Sequence, residues 1–563
     1  MTGSSTSHDS LFTRMRSWLI FFAVTLVLLS LATAAIYLVL DRPRPGIDDA
    51  YIYLVYAENI LDAEGIVYNT GGERVEGFTS PLWLVLVTIT TALCDRPETC
   101  LLAASLLLTA AALASLWYYI SGGHLLHGRS LLFLVWVFAS PAFIFWMTLP
   151  LMDVSLWSAL LVLTSVAVLK GSSSRVAAIM IALLILARPE GMLWGFFFVV
   201  LFALRNTGRN GIATLWPKVR TPLALYVGTV SILVSLRLAY FGYPLPNTYY
   251  AKVSPDVSYN LLQGAKYLAG FIANYPLDMA LIVGATFAGL LFKLPKIVAW
   301  ISGRSARIDP QRELNYSLMA LVVMLGLLTP ILSGGDHFKL FRFYQPIWPL
   351  MILPVLFMVD DLQRTAKGSR RYLALSVFIL LIGLTPTRSW GRLSESLIAR
   401  EFRLVESGRV LAESLNRLFE QEAPTVAYAA VGALAYHYDG DVYDIYGLNN
   451  VAMAHSEGKR YGLKNHSAFN VDVFMDQQPA LFGPLLGQPE SLRAAAQLVE
   501  VDQYGPLKGI YADRRFQKQY ARVLISSNDT GHHVLAWVNR SFLPKLSETE
   551  LQAAEIDYRL VSE

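Results

Sequence analysis

Asp48 and Asp49 are adjacent carboxylates eight residues beyond an uncharged apolar run, Trp18 to Leu40, where a chain leaving a membrane first meets water. One member of such a pair can take the proton of a hydroxyl while the other positions a polar group or a metal, because mutual repulsion drives their protonation apart. The plain alternative is a solvated pair capping a loop. The residues that follow favour a framed site. Tyr51, Tyr53 and Tyr56, the Gly71-Gly72 turn and Trp83 read as an amphipathic segment lying on the bilayer, with rings suited to the headgroup level.

The elements that must position this pair are membrane helices. The run Trp18 to Leu40 is 23 residues long, enough to cross a hydrocarbon core, and it is longer than the core of a signal peptide. Arg14 and Arg16 ahead of it predict a cytoplasmic N-terminus and an extracytoplasmic aspartate pair. A composition of 54% hydrophobic and 16% charged residues, with a mean hydropathy of +0.44, describes a polytopic membrane protein. Of the 88 charged residues, 39 lie from Gly391 onward, so a lipid-solvated region, 1–390, precedes a water-solvated one, 391–563. The net charge of +4 is accounted for by basic loops and implies no nucleic-acid partner.

The apolar runs predict an α-helical membrane region of about 11 to 13 spans. Three basic loops alternate as cytoplasmic: Arg205, Arg209, Lys218 and Arg220; Lys293, Lys296, Arg304, Arg307 and Arg312; Arg364, Lys367, Arg370 and Arg371. The loops holding Arg188 to Gly191, Phe241 to Lys252 and Ser333 to Phe343 then share the face of Asp48 and Asp49, with everything after the last apolar run, Tyr372 to Thr385. The count conflicts at one place. Four runs separate Asp49 from Lys170, whereas the alternation requires an odd number of crossings, and the short run Pro81 to Leu93 is a suspect. Cys94 and Cys100, the only cysteines, read more readily as packing thiols than as a bridge.

The block from Asp48 to Trp83, including Gly71-Gly72-Glu73-Arg74-Val75-Glu76-Gly77-Phe78-Thr79-Ser80-Pro81, resembles the first outer loop of the GT-C superfamily of multi-span glycosyltransferases that use polyprenyl-phosphate sugars. It is most similar to the arabinofuranosyltransferases of the mycobacterial cell-wall type and their Gram-negative relatives. Further islands agree in order: Leu186-Ala187-Arg188-Pro189-Glu190-Gly191, Pro244 to Lys252, Gly334-Gly335-Asp336-His337-Phe338 through Arg342-Phe343, Asp444 to Asn449, Ala454-His455 and Asn465-His466. One departure is Leu151-Met152-Asp153, where relatives carry a glutamate.

The resemblance implies an inverting transfer of a sugar, arabinofuranose being expected, from a polyprenyl-phosphate donor to an extracytoplasmic glycan or protein acceptor at a bacterial inner membrane. It implies that Asp48 or Asp49 is the base, without deciding which. Arg188, Lys252 and Arg342 are the candidates for the donor phosphate, since each can make charge-assisted contacts to its oxygens. Tyr51, Glu76, Asp153, Glu190, Asn247, Tyr249, Asp336, His337, His455 and His466 are candidates for substrate contact. Arg188 with Glu190 equally reads as a structural ion pair, and Lys252 and Arg342 as snorkelling anchors. No His, Asp or Glu spacing makes a protein-only metal site, and a divalent ion shared between the carboxylates and the lipid phosphate stays open.

From Gly391 the pattern becomes an amphipathic helix, Ser394 to Phe419, then strands at Thr425 to Ala430 and Val442 to Tyr446, which predicts a soluble α/β or α+β domain. Tyr436, His437, Tyr438, His455 and His466 could bind an acceptor glycan or dock this domain on the helices. Walker, Rossmann and Ser/His/Asp signatures are missing, which argues against a nucleotide-fuelled transporter. Two other classes remain, a lipid-linked-glycan transporter and a non-catalytic envelope-assembly factor. A transporter needs charges along a path through the spans, whereas those seen here gather at helix ends.

Overall fold

In hydrocarbon every backbone polar group must be satisfied within its own segment, so the apolar runs can only be helices. The computed structural model describes residues 5–125, 127–207, 215–301, 310–365, 390–393, 396–419, 422–458, 460–462, 464–486, 506–527, 533–547 and 556–560. The run Tyr372 to Thr385, Ser394, and the basic residues Arg209, Arg304, Arg307, Lys367, Arg370 and Arg371 lie outside them. The chain is a multi-pass membrane protein. Among the described residues six helices are long and apolar enough to cross a membrane, a bent pair makes a seventh, and four apolar helices are shorter.

The helices that build the site are α1 (Ser5–Val39), α2 (Asp48–Leu61), α3 (Pro81–Leu93), α4 (Pro97–Ser121), α5 (Gly128–Phe138), α6 (Pro141–Thr148), α7 (Val154–Lys170), α8 (Ser174–Ala187), α9 (Gly191–Asn206), α10 (Trp216–Phe241), α11 (Asn247–Lys252), α12 (Val257–Asn274) and α13 (Pro310–Leu332). Helices α5 and α6 are one apolar run bent by 69°. The break falls at Ser140-Pro141, where proline suits the first position of a helix and the Ser140 hydroxyl accepts the Phe143 N–H.

Helix α3 starts beside α2, where the Tyr53 hydroxyl accepts the Ser80 N–H, and the chain is still beside α2 at the start of α4, where Tyr51 donates to Glu98 at 3.3 Å. Three passages, α4, the α5–α6 pair and α7, then lead from the Asp49 end to Lys170, whose ammonium lies over the Tyr118 ring at the far end of α4. The turn between α3 and α4 also corrects the expectation for the cysteines. Cys94 ends α3, Cys100 lies in the first turn of α4, their Cα atoms are 6.6 Å apart, and they form a disulfide.

The C-terminal part begins with the amphipathic α14 (Ala399–Leu418) and continues into a six-stranded mixed sheet of order β2-β1-β3-β5-β4-β6. Its strands are β1 (Val426–Tyr428), β2 (Val442–Asp444), β3 (Leu481–Leu486), β4 (Tyr520–Ser527), β5 (His533–Asn539) and β6 (Ile556–Leu560). β1 pairs in parallel with β2 and β3, and the remaining pairs are antiparallel. β2 stops earlier than the apolar pattern suggests because the Asp444 carboxylate accepts the N–H groups of Tyr446, Gly447 and Asn449 and turns the chain. No cysteine lies in this part, and an aromatic core of Phe469, Phe474, Phe482, Phe516 and Tyr520 supports the sheet.

Sheet and helices meet at α2. Both Asp48 oxygens accept backbone N–H groups, from Gly432 at 3.0 Å and Ala433 at 2.9 Å, at the start of α15 (Val431–His437). A Cβ on Gly432 would come within 1.8 Å of the Asp48 carbonyl oxygen, so only glycine permits this approach. Asn69 clasps the free edge of β2, accepting the Val442 N–H and donating to its carbonyl, both at 3.1 Å. Asn247 donates to the carbonyls of Gly447 and Leu448. Tyr51, Tyr53 and Tyr56 are thereby buried under the sheet domain and the following loop, not exposed on the surface.

Replacing Gly432 by alanine must push the sheet off α2, and overpacking of this kind costs about 1–3 kcal/mol. The Gly432→Ala protein is expected to unfold at a lower temperature and to expose the α14–α15 region to protease. An unchanged midpoint and digestion pattern would show that the two parts are not joined here.

Candidate functional site

The N-terminal end of α2 faces two cavities that share a wall. The first, about 470 Å³, lies against the helices and is lined by Asp49, Asp153, Arg188, Glu190, Tyr249, Lys252 and Arg342, with apolar walls from Leu193, Leu245, Val257 and Leu332. The second, about 280 Å³, lies against the sheet domain and is lined by Asp48, Asp49, Lys252, His337, Glu401 and His466. Asp49, Ile52, Lys252, Leu448 and Asn465 belong to both.

Asp49 differs from its neighbours in having its oxygens unspoken for. Lys252 Nζ is 3.7 Å and Arg342 Nη1 3.9 Å from Oδ2, and among the described residues its carboxylate makes no hydrogen bond. Burial opposes its charge, but Lys252, Arg342, His337 and His466 outweigh that and hold its carboxyl below the ordinary value of 3.8. It is therefore ionised at neutral pH with a free lone pair facing both cavities, as a general base requires. Asp48 is the reverse case. Burial pushes its carboxyl up to about 7, against the opposing pull of the Ala433 and Gly432 N–H groups, and those two groups occupy both of its oxygens.

The cations are held in graded fashion. Arg188 donates to both oxygens of the buried Asp153, at 2.9 and 2.8 Å, and lies 3.3 Å from Glu190, so its charge is already matched. Arg342 donates to Asp336 at 2.7 Å with Phe338 and Phe343 against its face. Asp336 is buried, which works against its charge, yet Arg342 and His337 keep it well below the usual carboxylate range. Asp49 is the only acidic partner of Lys252 among the described residues, at a distance longer than a hydrogen bond, which leaves its ammonium the most available cation in the first cavity.

Several sequence candidates are not brought to the cavities. Tyr51 is fully buried, its hydroxyl on Glu98 and its ring against Tyr436. Glu76 makes a buried bidentate pair with Arg237, at 2.8 Å from both Nε and Nη2. Asn247 spends its amide on the 447–450 loop, and His455 stacks on Tyr243 at 3.9 Å and Tyr250 at 4.2 Å. Tyr51, Asn247 and His455 are joints between the two parts of the chain, whereas Glu76 ties the first loop to α10 within the membrane region. Sequence reasoning did not single out Arg237, although a cation inside the apolar run of α10 needs a buried partner. Glu401 and Asn465 also escaped as site residues. Glu401 sat unmarked within the amphipathic helix, and Asn465 was seen only as part of an island. Among the described residues no group of three or more His, Cys, Asp or Glu could hold a metal ion.

Residues 396–535 match a family described as a domain of unknown function, DUF8728. No curated protein matches the chain. It is structurally similar to the crystal structure of the apo oligosaccharyltransferase of Archaeoglobus fulgidus, and to AglB of that organism in complex with an inhibitory peptide and a dolichol-phosphate. In each case the identity is 13%, the TM-score is 0.45, and the match covers 92% of this chain and 74% of the other.

The raised Asp48 value fixes a sign. Between the ordinary 3.8 and about 7 the folded chain binds more protons at this site than the unfolded chain, so stability falls as pH rises through that window. Unfolding midpoints of the detergent-solubilised protein across pH 4 to 8 should show this slope, and Asp48→Asn should flatten it. Equal slopes in the two proteins would remove the buried, protonatable role of Asp48.

Proposed function

We propose that the protein is a GT-C type glycosyltransferase that moves one sugar from a polyprenyl-phosphate donor to an acceptor hydroxyl, with Asp49 as the general base. The observation that carries this is the Asp49 carboxylate, without a hydrogen bond among the described residues, in the wall between a cavity that bears Arg342 and apolar walls and a second that bears Glu401 and His466. The first cavity suits the donor. Its volume is in the range of small-molecule sites, its apolar walls suit the first isoprene units, and Lys252 and Arg342 would hold the phosphate. The second suits the acceptor, whose hydroxyl would approach Asp49 from the side of Glu401 and His466.

The step balances without a cofactor. Asp49 takes the acceptor proton as the hydroxyl oxygen forms its bond to C1, the C1–O bond to phosphate breaks, and its electron pair leaves on the polyprenyl phosphate beside Lys252 and Arg342. Attack opposite the leaving group inverts the anomeric centre. Arg188, locked by Asp153 and Glu190, shapes the first cavity and contributes little free charge. The arabinofuranose expectation rests on the sequence resemblance. An extracytoplasmic site is supported by the loop charges and by the Cys94–Cys100 disulfide, which lies at the site end, since such bridges persist in oxidising compartments.

Purified protein assayed with a panel of synthetic polyprenyl-phosphate sugars tests this. Asp49→Asn should lower transfer by about 100-fold or more, while Asp48→Asn, measured below its unfolding temperature, should lose far less. Lys252→Ala should lower kcat as well as raise the donor KM, because the phosphate gains charge beside it as the bond breaks. Asp49→Asn retaining wild-type turnover would dismiss Asp49 as the base, and transfer from none of the donors would dismiss the reaction.

A further inference from the structure

We infer that the sheet domain carries a second ligand site, a cleft for a neutral oligosaccharide, distinct from both cavities at Asp49. The cleft, about 690 Å³, opens where the N-terminal ends of β1, β2 and β3 and the C-terminal end of β5 meet the first loop of the membrane region. The chemistry of its lining points to polyols. Asp441 and Gln477 are exposed, and among the described residues their side chains have no hydrogen-bond or ion-pair partner. Glu73 joins them from the first loop, with one oxygen on the Val451 N–H at 2.9 Å. Carboxylates and amides of this kind exchange hydrogen bonds with sugar hydroxyls, which both donate and accept. Tyr443 and Phe542 add aromatic surface for the C–H face of a sugar ring. The Tyr443 hydroxyl is buried and has no partner among the described residues.

Charge and topology narrow the occupant. Lys545, the one cation in the lining, is already paired with Glu422, which leaves Glu73 and Asp441 to repel anions. A peptide strand cannot add to the neighbouring edge of β2 at Val442, because Asn69 takes both its N–H and its carbonyl. The cleft and the second cavity lie at opposite ends of β1 and β2, since Thr425 and Asp441 line the former and Ala429 and Tyr446 the latter. Three-residue strands separate them by about 10 Å. The cleft therefore holds sugars remote from the reacting hydroxyl, and it bridges the loop of one region and the sheet of the other. This deepens the proposed transfer reaction by making its acceptor a polymer, and rests on that reading only for its purpose.

The test is calorimetric titration of the full chain in detergent, with no donor present, against neutral hexasaccharides of glucose, mannose, galactose and arabinose, a polygalacturonate oligomer and a Lys-rich peptide. A neutral hexasaccharide is expected to bind, and Asp441→Ala with Gln477→Ala, both at exposed positions, should weaken it tenfold or more. Because binding is read without transfer, an inactive enzyme still leaves the cleft tested. Where transfer is seen, the double variant should raise KM for long acceptors and leave a monosaccharide acceptor unchanged. Absence of neutral-sugar binding, equal binding by the variant, or preference for the uronide or the basic peptide would overturn the inference.

Discussion

The contact on which the rest depends is the double hydrogen bond from Gly432 and Ala433 to the Asp48 carboxylate. It fixes the first turn of α2 against the end of β1, and so fixes the direction in which the next residue, Asp49, must point. Successive residues on a helix are turned about 100° from each other, so a carboxylate spent on the sheet domain leaves its neighbour facing elsewhere. Elsewhere, here, is the wall between the two cavities. The joints around it, Asn247 with the 447–450 loop and Asn69 with β2, resist any sliding of the sheet over α2.

Two adjacent acids thus acquire opposite electrostatic lives. Asp48 is buried without a cation, and its carboxyl rises to about 7. Asp49 is also deep, but Lys252 and Arg342 stand close by, and its carboxyl falls. The doublet is thus divided, with one member holding the architecture and the other free of hydrogen bonds among the described residues. The cations divide similarly. Arg188 is matched by two carboxylates, Arg342 is bonded to one through its Nε, and Lys252 is held only loosely by Asp49 itself.

Much of this was legible in the sequence, and the unread part has physical reasons. Apolar runs predicted the helical region, because lipid demands an apolar composition over long stretches. The islands at 48–83, 186–191, 244–252 and 334–343 do converge on one end of the bundle. What the linear pattern could not give was partnership. Tyr51, Asn247 and His455 look like site residues for the same reason that they make good joints: each is polar and sits where two parts meet, while Glu76 is the buried partner of Arg237. Which of Asp48 and Asp49 is free depends on a backbone contact with Gly432, nearly four hundred residues away. The Pro81 to Leu93 helix likewise turns back beside α2, for which hydropathy carries no sign.

The most direct test of the account is a structure of the protein with a non-hydrolysable polyprenyl-phosphonate sugar. The account predicts the phosphonate against Lys252 and Arg342, the prenyl chain along Leu193, Val257 and Leu332, and the anomeric carbon open to the second cavity beside Asp49. A phosphonate seated away from Lys252 and Arg342, or an anomeric carbon shielded from Asp49, would contradict it.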